Sequence, residues 1–150
     1  MPVPDFTDRG VLPEGVHPCT LPEAQEALCT NEQRTQIWEG LLGFLVWAEP
    51  LPVPTALLID GSYVTDKPLP SDVDVVVDVT SCSSAEQVSW FQAWNDSHDF
   101  AKVSFNVDFY PFVVGVGNDF SMYFQYIRVE EALRRGIPPH IRKGILRVEE

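Results

Sequence analysis

The sequence predicts an α/β domain, in which a mixed, twisted sheet carries helices mainly on one of its sides. Short β-branched runs typical of buried strands alternate with stretches whose apolar residues recur at helical spacing. Size supports the same class, because 150 residues with 45% hydrophobic content suffice for one core and are too few for two domains of ordinary size. We therefore predict that residues 1–150 form a single domain.

The N-terminal part of the chain changes character near residue 20. Residues 1–22 are rich in proline and glycine, which predicts an arm that lies across the body of the domain without a regular element. Thr20 followed by Glu23 has the spacing of a capping box and predicts a helix from Leu21. A second helix is predicted over 31–47, where apolar residues form a wide face, and it ends before the prolines that follow.

Three strands are predicted in the middle of the chain, over 55–59, 73–79 and 102–110. A helix that begins within 81–85 and runs to about residue 97 separates the last two strands. Strand, helix and strand in this order predict a crossover connection of the kind that joins parallel strands. Pro111 is expected to end the third strand, because proline cannot donate to the ladder.

The C-terminal part is predicted to hold a loop or short strand over 112–118, a helix that is capped by Asp119 or Ser121 and ends at Arg135, and a basic tail over 136–150. Residues 121–150 carry six of the ten basic side chains and four acidic ones. Two interpretations of the tail stay open. It binds an anion or a partner, or its apolar residues cover part of the core; those residues are Ile141, Ile145 and Leu146.

Composition excludes several classes of protein. No run approaches the roughly 20 apolar residues of a membrane span, and the first residues lack the features of a signal peptide. We therefore expect a cytoplasmic protein with no membrane partner. The formal net charge of −12 argues against a nucleic-acid footprint over the whole surface. The three cysteines lack the spacing of zinc or redox pairs and are expected to be reduced thiols.

The chemistry-bearing residues cluster between 57 and 79. An apolar run ends at Gly61-Ser62, where glycine permits a tight turn and serine adds a hydroxyl beside exposed amide groups, which suits a phosphate. Asp72 and Asp74 then open a β-branched strand, and a period of two puts both carboxylates on one face. Because such carboxylates repel each other, a divalent cation is their expected partner, and Mg²⁺ prefers oxygen ligands of this kind.

Asp108 is the candidate for a third carboxylate, since a lone carboxylate in an apolar strand is costly unless it has a partner. Three carboxylates would complete a site for two metal ions of the type that promotes phosphoryl displacement. The alternative for Asp72 and Asp74 is a solvated turn and a polar strand position. Asp60 is interpreted as a turn cap, and Asp78 as lying too far along its strand to reach the same ion.

Gly61-Ser62, Asp72-x-Asp74 and Asp108 together resemble the signature of the DNA polymerase β-type nucleotidyltransferase superfamily. The small size is most similar to the minimal bacterial nucleotidyltransferases, some of which are antitoxins paired with HEPN-domain toxins, and to uncharacterised bacterial families of such domains. The resemblance covers roughly residues 55–110.

The resemblance implies a Mg²⁺- or Mn²⁺-dependent enzyme that moves a nucleoside monophosphate from a triphosphate to a hydroxyl of a protein or RNA acceptor. ATP is the expected triphosphate. Metal ligation and catalysis would fall to the three aspartates Asp72, Asp74 and Asp108. Nucleotide binding would fall to Gly61, Ser62, Tyr63 and Lys67. An oligomer is compatible with this class.

One departure from the family pattern supports an alternative. Minimal members carry an arginine-rich stretch after Gly-Ser, whereas residues 63–70 offer Lys67 and two prolines. This departure favours a binding module of the same ancestry, such as an antitoxin that neutralises a toxin-like protein partner without turnover. Retention of three carboxylates favours catalysis.

Overall fold

The computed structural model describes residues 3–113 and 144–148. Within them the chain forms five strands, three α-helices and one turn of 3-10 helix over Ser62–Val64. The strands are β1 (Val16–Cys19), β2 (Ala56–Asp60), β3 (Val73–Asp78), β4 (Val107–Phe112) and β5 (Ile145–Val148). The helices are α1 (Leu21–Leu28), α2 (Glu32–Trp47) and α3 (Ser84–Phe105). The mixed sheet confirms the predicted α/β class.

The described strands lie in the order β1-β5-β2-β3-β4. β3 and β4 are parallel and are joined through α3, which confirms the predicted crossover connection. β2 runs antiparallel to both of its neighbours, β3 and β5, while β1 runs parallel to β5. The centre of the sheet therefore consists of β5, β2 and β3.

Local capping residues fix the starts of the helices. Thr20 and Glu23 form the predicted capping box at α1, and the Asn31 side chain accepts a hydrogen bond from the Arg34 backbone at the start of α2. A second capping box, formed by Ser83 and Glu86, begins α3. Each box satisfies two backbone N–H groups that a helix start would otherwise leave unpaired.

The boundary between α3 and β4 differs from the prediction. The sequence pattern predicts strand at residues 102–105, but α3 continues to Phe105 and ends at Asn106, whose φ of 56° is left-handed. Tertiary packing explains the difference, because the Phe105 carbonyl lies so close to Gly40 that a Cβ on Gly40 would clash with its oxygen. The end of α3 thus lies directly against α2, and this packing favours helix at residues where the local pattern alternates like a strand.

Pro111 does not end β4, which continues to Phe112. β4 is an edge strand of the described sheet, and an edge strand tolerates proline because one side of it makes no ladder hydrogen bonds. The same reason accounts for Pro18 in β1, the opposite edge. The predicted arm over residues 1–22 therefore contains a strand that its proline content argues against.

The predicted tail is also corrected where the structure describes it. Ile145 and Leu146 are fully buried in β5, which pairs with β1 on one side and β2 on the other. For these two residues the structure supports the second interpretation, in which they belong to the core. Ile141, the helix predicted over 121–135 and the predicted loop beyond residue 113 lie outside the described residues.

The two faces of the sheet have different surroundings. One face packs against the helices and forms the main core, which includes Phe44, Val75, Phe109 and Trp90. The other face carries a smaller buried cluster and, at one end, a group of carboxylates. That smaller cluster consists of Leu58, Val76, Phe112 and Ile145. Among the described residues, no helix is long and apolar enough to cross a membrane.

Candidate active site

A row of three aspartates crosses the sheet from β2 to β4. In the strand register Asp74 pairs with Asp60 on one side and with Asp108 on the other. Residues paired in this way project from the same face of a sheet, so the three carboxylates share a face. Asp72 lies two residues before Asp74 and just outside β3, close enough for its charge to help raise the pKa of the Tyr110 phenol. The structure thus brings Asp74 and Asp108, two of the three sequence-predicted aspartates, to one face, adds Asp60, and leaves Asp72 just before the start of β3.

Gly61 contacts this row directly. Its φ of 82° and ψ of −168° belong to a region that essentially only glycine occupies. A Cβ at this position would lie 2.8 Å from the Asp74 carboxylate oxygen Oδ2. Gly61 therefore has two structural roles. It permits the turn after β2, and it leaves room for the carboxylate of Asp74.

We expect Gly61→Ala to destabilise the fold by about 1–3 kcal/mol and to displace the Asp74 side chain, because the new methyl group adds both backbone strain and a clash. Gly15→Ala is the matched control, since Gly15 also has positive φ (123°) but a methyl group there would have only a distant contact, with His17 at 3.9 Å. Thermal unfolding and Mn²⁺ titration of both variants provide the measurement. Equal Mn²⁺ affinity in the two variants would contradict the expectation that Gly61 leaves room for a metal-binding carboxylate of Asp74.

Asp108 has two positive or proton-donating neighbours. The Tyr110 hydroxyl donates a 2.8 Å hydrogen bond to Asp108 Oδ2, and Lys102 Nζ lies 3.9 Å from the same oxygen. Burial raises the pKa of the Tyr110 phenol, and the hydrogen bond to Asp108 and the negative charges of Asp108, Asp74 and Asp72 raise it further. One phenol therefore experiences the charge of all three predicted aspartates.

Tyr63 requires a correction. Its position after Ser62 predicts a contact with nucleotide, but its side chain is fully buried, and its hydroxyl donates a 2.7 Å hydrogen bond to the Arg34 carbonyl oxygen. Burial raises the pKa of this phenol, and the hydrogen bond with Cys29 raises it further. The ring is part of the core, so the Tyr63 side chain cannot contact a nucleotide bound at the Gly61-Ser62 turn.

Arg34 holds the loop that follows Gly-Ser in place through hydrogen bonds to its backbone. Arg34 is only 2% exposed. Its guanidinium donates hydrogen bonds to backbone carbonyl oxygens of that loop and of α1. The acceptors are the carbonyl oxygens of Leu28, Tyr63, Thr65 and Lys67. A planar guanidinium with five N–H donors suits such a set of acceptors. Lys67, predicted to bind nucleotide, thus contributes its carbonyl to this network, while the residue is partly exposed.

Asp78 is a structural carboxylate, in agreement with the interpretation of the sequence. Its Oδ2 atom lies 3.4 Å from Arg147 Nη1, and its Oδ1 atom accepts a hydrogen bond from the Thr80 backbone. The Asp78 side chain is only 4% exposed, so the ion pair compensates for burial of its charge. Asp78 therefore ties β3 to β5 and does not join the aspartate row.

The donor set suits a hard cation, although its side chains are not gathered around a common point. Within residues 3–113 and 144–148, no group of three or more histidine, cysteine, aspartate or glutamate side chains is arranged so that it could hold a metal ion. The adjacent carboxylates of Asp74 and Asp108 are nevertheless the oxygen ligands that Mg²⁺ takes, together with substrate phosphates and water. A cation bound between them would replace Lys102 as the positive neighbour of Asp108.

Sequence reasoning missed Tyr110, Lys102 and Arg34. Tyr110 could have been found, because a residue two positions after Asp108 in the same strand shares its face. Lys102 and Arg34 carry no such signal, since the first reaches Asp108 only through the unpredicted end of α3 and the second acts across tertiary contacts.

Comparison with known proteins identifies a family and leaves its activity open. Residues 4–149 match the model of a family described as a family of unknown function, DUF6932. No curated protein and no solved structure matches the chain.

Proposed function

The chain belongs to the DUF6932 family, and we propose that it is a metal-dependent nucleotidyltransferase that moves a nucleoside monophosphate from a triphosphate, ATP first, to a hydroxyl of a protein or RNA acceptor. The observation that supports this proposal is the register of β3 and β4, which sets Asp74 beside Asp108 next to the Gly61-Ser62 turn. These are the motif residues of the nucleotidyltransferase resemblance, brought together from separate elements.

The roles of the residues follow from their positions. Asp72, Asp74 and Asp108 would hold the divalent cation, and Gly61 and Ser62 would present backbone N–H groups and a hydroxyl to the phosphates. Bound Mg²⁺ or Mn²⁺ would supply charge neutralisation for the triphosphate. Asp108 would accept the proton of the attacking hydroxyl on the carboxylate oxygen that Tyr110 does not bond. The acceptor oxygen then forms a bond to the α-phosphorus, the bond to the bridging oxygen breaks, and pyrophosphate leaves.

The test of this function is incubation of the full chain with each ribonucleoside triphosphate, Mg²⁺ or Mn²⁺, and candidate protein and RNA acceptors. Mass spectrometry of the acceptor detects an added nucleoside monophosphate, and phosphate analysis detects released pyrophosphate. The expected result is a mass increase that needs both the cation and the triphosphate. Turnover that persists in a chelator would contradict the proposal.

We expect Asp108→Asn to lower the rate of transfer by at least about tenfold while nucleotide affinity changes little, because a base acts mainly in the transition state. Asp99→Asn is the matched control, since this substitution on α3 removes the same charge from a side chain that is 93% exposed. Steady-state kinetics and nucleotide titration separate the two effects. Lost affinity with intact turnover would exclude the proposed role of Asp108.

A binding module of the same ancestry is the second candidate, and the contacts of Asp108 favour it. Asp108 already has Tyr110 and Lys102 as neighbours, so its carboxylate is compensated without a metal. Such a protein would neutralise a toxin-like partner through its surface. It would keep that binding when Asp72 and Asp74 are both replaced by asparagine, whereas an enzyme would lose transfer.

A further inference from the structure

Lys102 brings a cation to the aspartate row from an element that the motif does not include. It lies in the last turn of α3, and the left-handed Asn106 then reverses the chain into β4. The reversal places Lys102 Nζ 3.9 Å from Asp108 Oδ2. The Lys102 side chain is 56% exposed, whereas that of Asp108 is 22% exposed. A long, flexible and exposed side chain is thus held beside a largely buried carboxylate.

Stability alone gives little reason for this pair. An ion pair with an exposed, flexible lysine at 3.9 Å contributes little to stability, and Asp108 already accepts a hydrogen bond from Tyr110. Charge gives a better reason. A triphosphate brings several negative charges to a place where Asp74 and Asp108 stand side by side, and the loop after Ser62 has its backbone carbonyls turned to Arg34. The site therefore needs a cation besides the metal.

We propose that Lys102 is the phosphate-binding cation of this site, which pairs with Asp108 in the free protein and transfers to the β- or γ-phosphate when a nucleoside triphosphate binds with its metal. This role rests on the proposed nucleotidyltransferase function and deepens it, because it makes the site selective for triphosphates over monophosphates. A lysine suits the exchange, since its ammonium is a point charge with three donors on a flexible stem.

The exchange has two consequences of opposite sign. Without Lys102, Asp108 loses a competing positive charge, so Mn²⁺ alone binds as well as in the wild type or more tightly. ATP loses a charged contact, and one charge-assisted hydrogen bond corresponds to about a tenfold weaker affinity. AMP, which lacks the β- and γ-phosphates, is affected by less than about twofold on the same reasoning.

Isothermal calorimetry on the full chain tests this pair of effects with three probes: Mn²⁺ alone, ATP with Mn²⁺, and AMP with Mn²⁺. The variants are Lys102→Met, Lys102→Arg as the charge-retaining rescue, and Arg9→Met as a control for net charge on the segment before β1. We expect Lys102→Met to bind ATP about tenfold more weakly, with unchanged or stronger Mn²⁺ binding. Lys102→Arg restores most of the ATP affinity, and Arg9→Met behaves as the wild type.

Three outcomes would overturn the role of Lys102. They are unchanged ATP affinity in Lys102→Met, an equal loss in Arg9→Met, and a parallel loss of Mn²⁺ and ATP binding together with a lower thermal midpoint, which would indicate a structural ion pair. If the wild type and Lys102→Met bind ATP equally well, only the proposed role of Lys102 is excluded. A wild-type protein that binds Mn²⁺ but no nucleotide would remove the nucleotidyltransferase function as well.

Discussion

The double variant Asp72→Asn, Asp74→Asn should fold at least as stably as the wild type and lose Mn²⁺ binding. Two carboxylates two residues apart on one face repel each other, and the amides relieve that repulsion while keeping the shape of the side chains. Loss of a bound cation removes several kcal/mol of charge stabilisation, so transfer should fall by at least about a hundredfold. Calorimetry, thermal unfolding and the transfer assay measure the three effects.

The matched control is the double variant Asp96→Asn, Asp99→Asn, which removes the same charge from exposed positions of α3. It should leave Mn²⁺ affinity and transfer near the wild-type values. Unchanged Mn²⁺ affinity in the Asp72, Asp74 variant would refute the metal assignment. Loss of metal affinity with a protein partner still bound would instead support the binding module.

Leu146→Ala should cost about 2–5 kcal/mol of the free energy of unfolding, a large share of the roughly 5–15 kcal/mol that a domain of this kind has. Leu146 is fully buried in β5, opposite Ile59 of β2 and His17 of β1. Its removal leaves a cavity in the main core, where the packed strands on both sides limit collapse.

Leu69→Ala is the control for that substitution, because it deletes the same atoms from a side chain that is 68% exposed. It should change stability by no more than about 0.5 kcal/mol. Chemical denaturation of both variants gives the comparison, and similar midpoints in the two would contradict the central position of β5.

The fold could be predicted where its causes are local. Thr20, Glu23 and Asn31 announce helix starts through hydrogen bonds that span three residues, and the valines of β3 indicate a buried strand. The end of α3 could not be predicted in this way, because it depends on the close packing of the Phe105 backbone against Gly40 of α2. β1 and β5 were missed for the same reason, since each short strand depends on a partner far away in the chain.

The candidate site likewise has features that depend on local sequence and features that depend on tertiary contacts. The sequence predicted Asp72 and Asp74 as a pair from their spacing, whereas the place of Asp108 beside Asp74 depends on the register of β3 and β4. The role given to Tyr63 failed because adjacency to Ser62 in the chain says nothing about the direction of its ring, which packs into the core against α2. The contact between Lys102 and Asp108 depends on where a helix ends, and a shift of a few residues in that end moves the ammonium to another place.

The position of β5 also sets the order in which the protein can fold as it is made. β1 and β2 flank β5, and Val16 pairs with Ile145, more than a hundred residues later in the chain. At a synthesis rate of about 5–20 residues per second, β1 waits on the order of ten seconds for this neighbour. Contacts between such distant residues form slowly, because a long loop must close first. Until β5 is made, the edge of β2 at Leu58 and Ile59 therefore lacks its ladder partner.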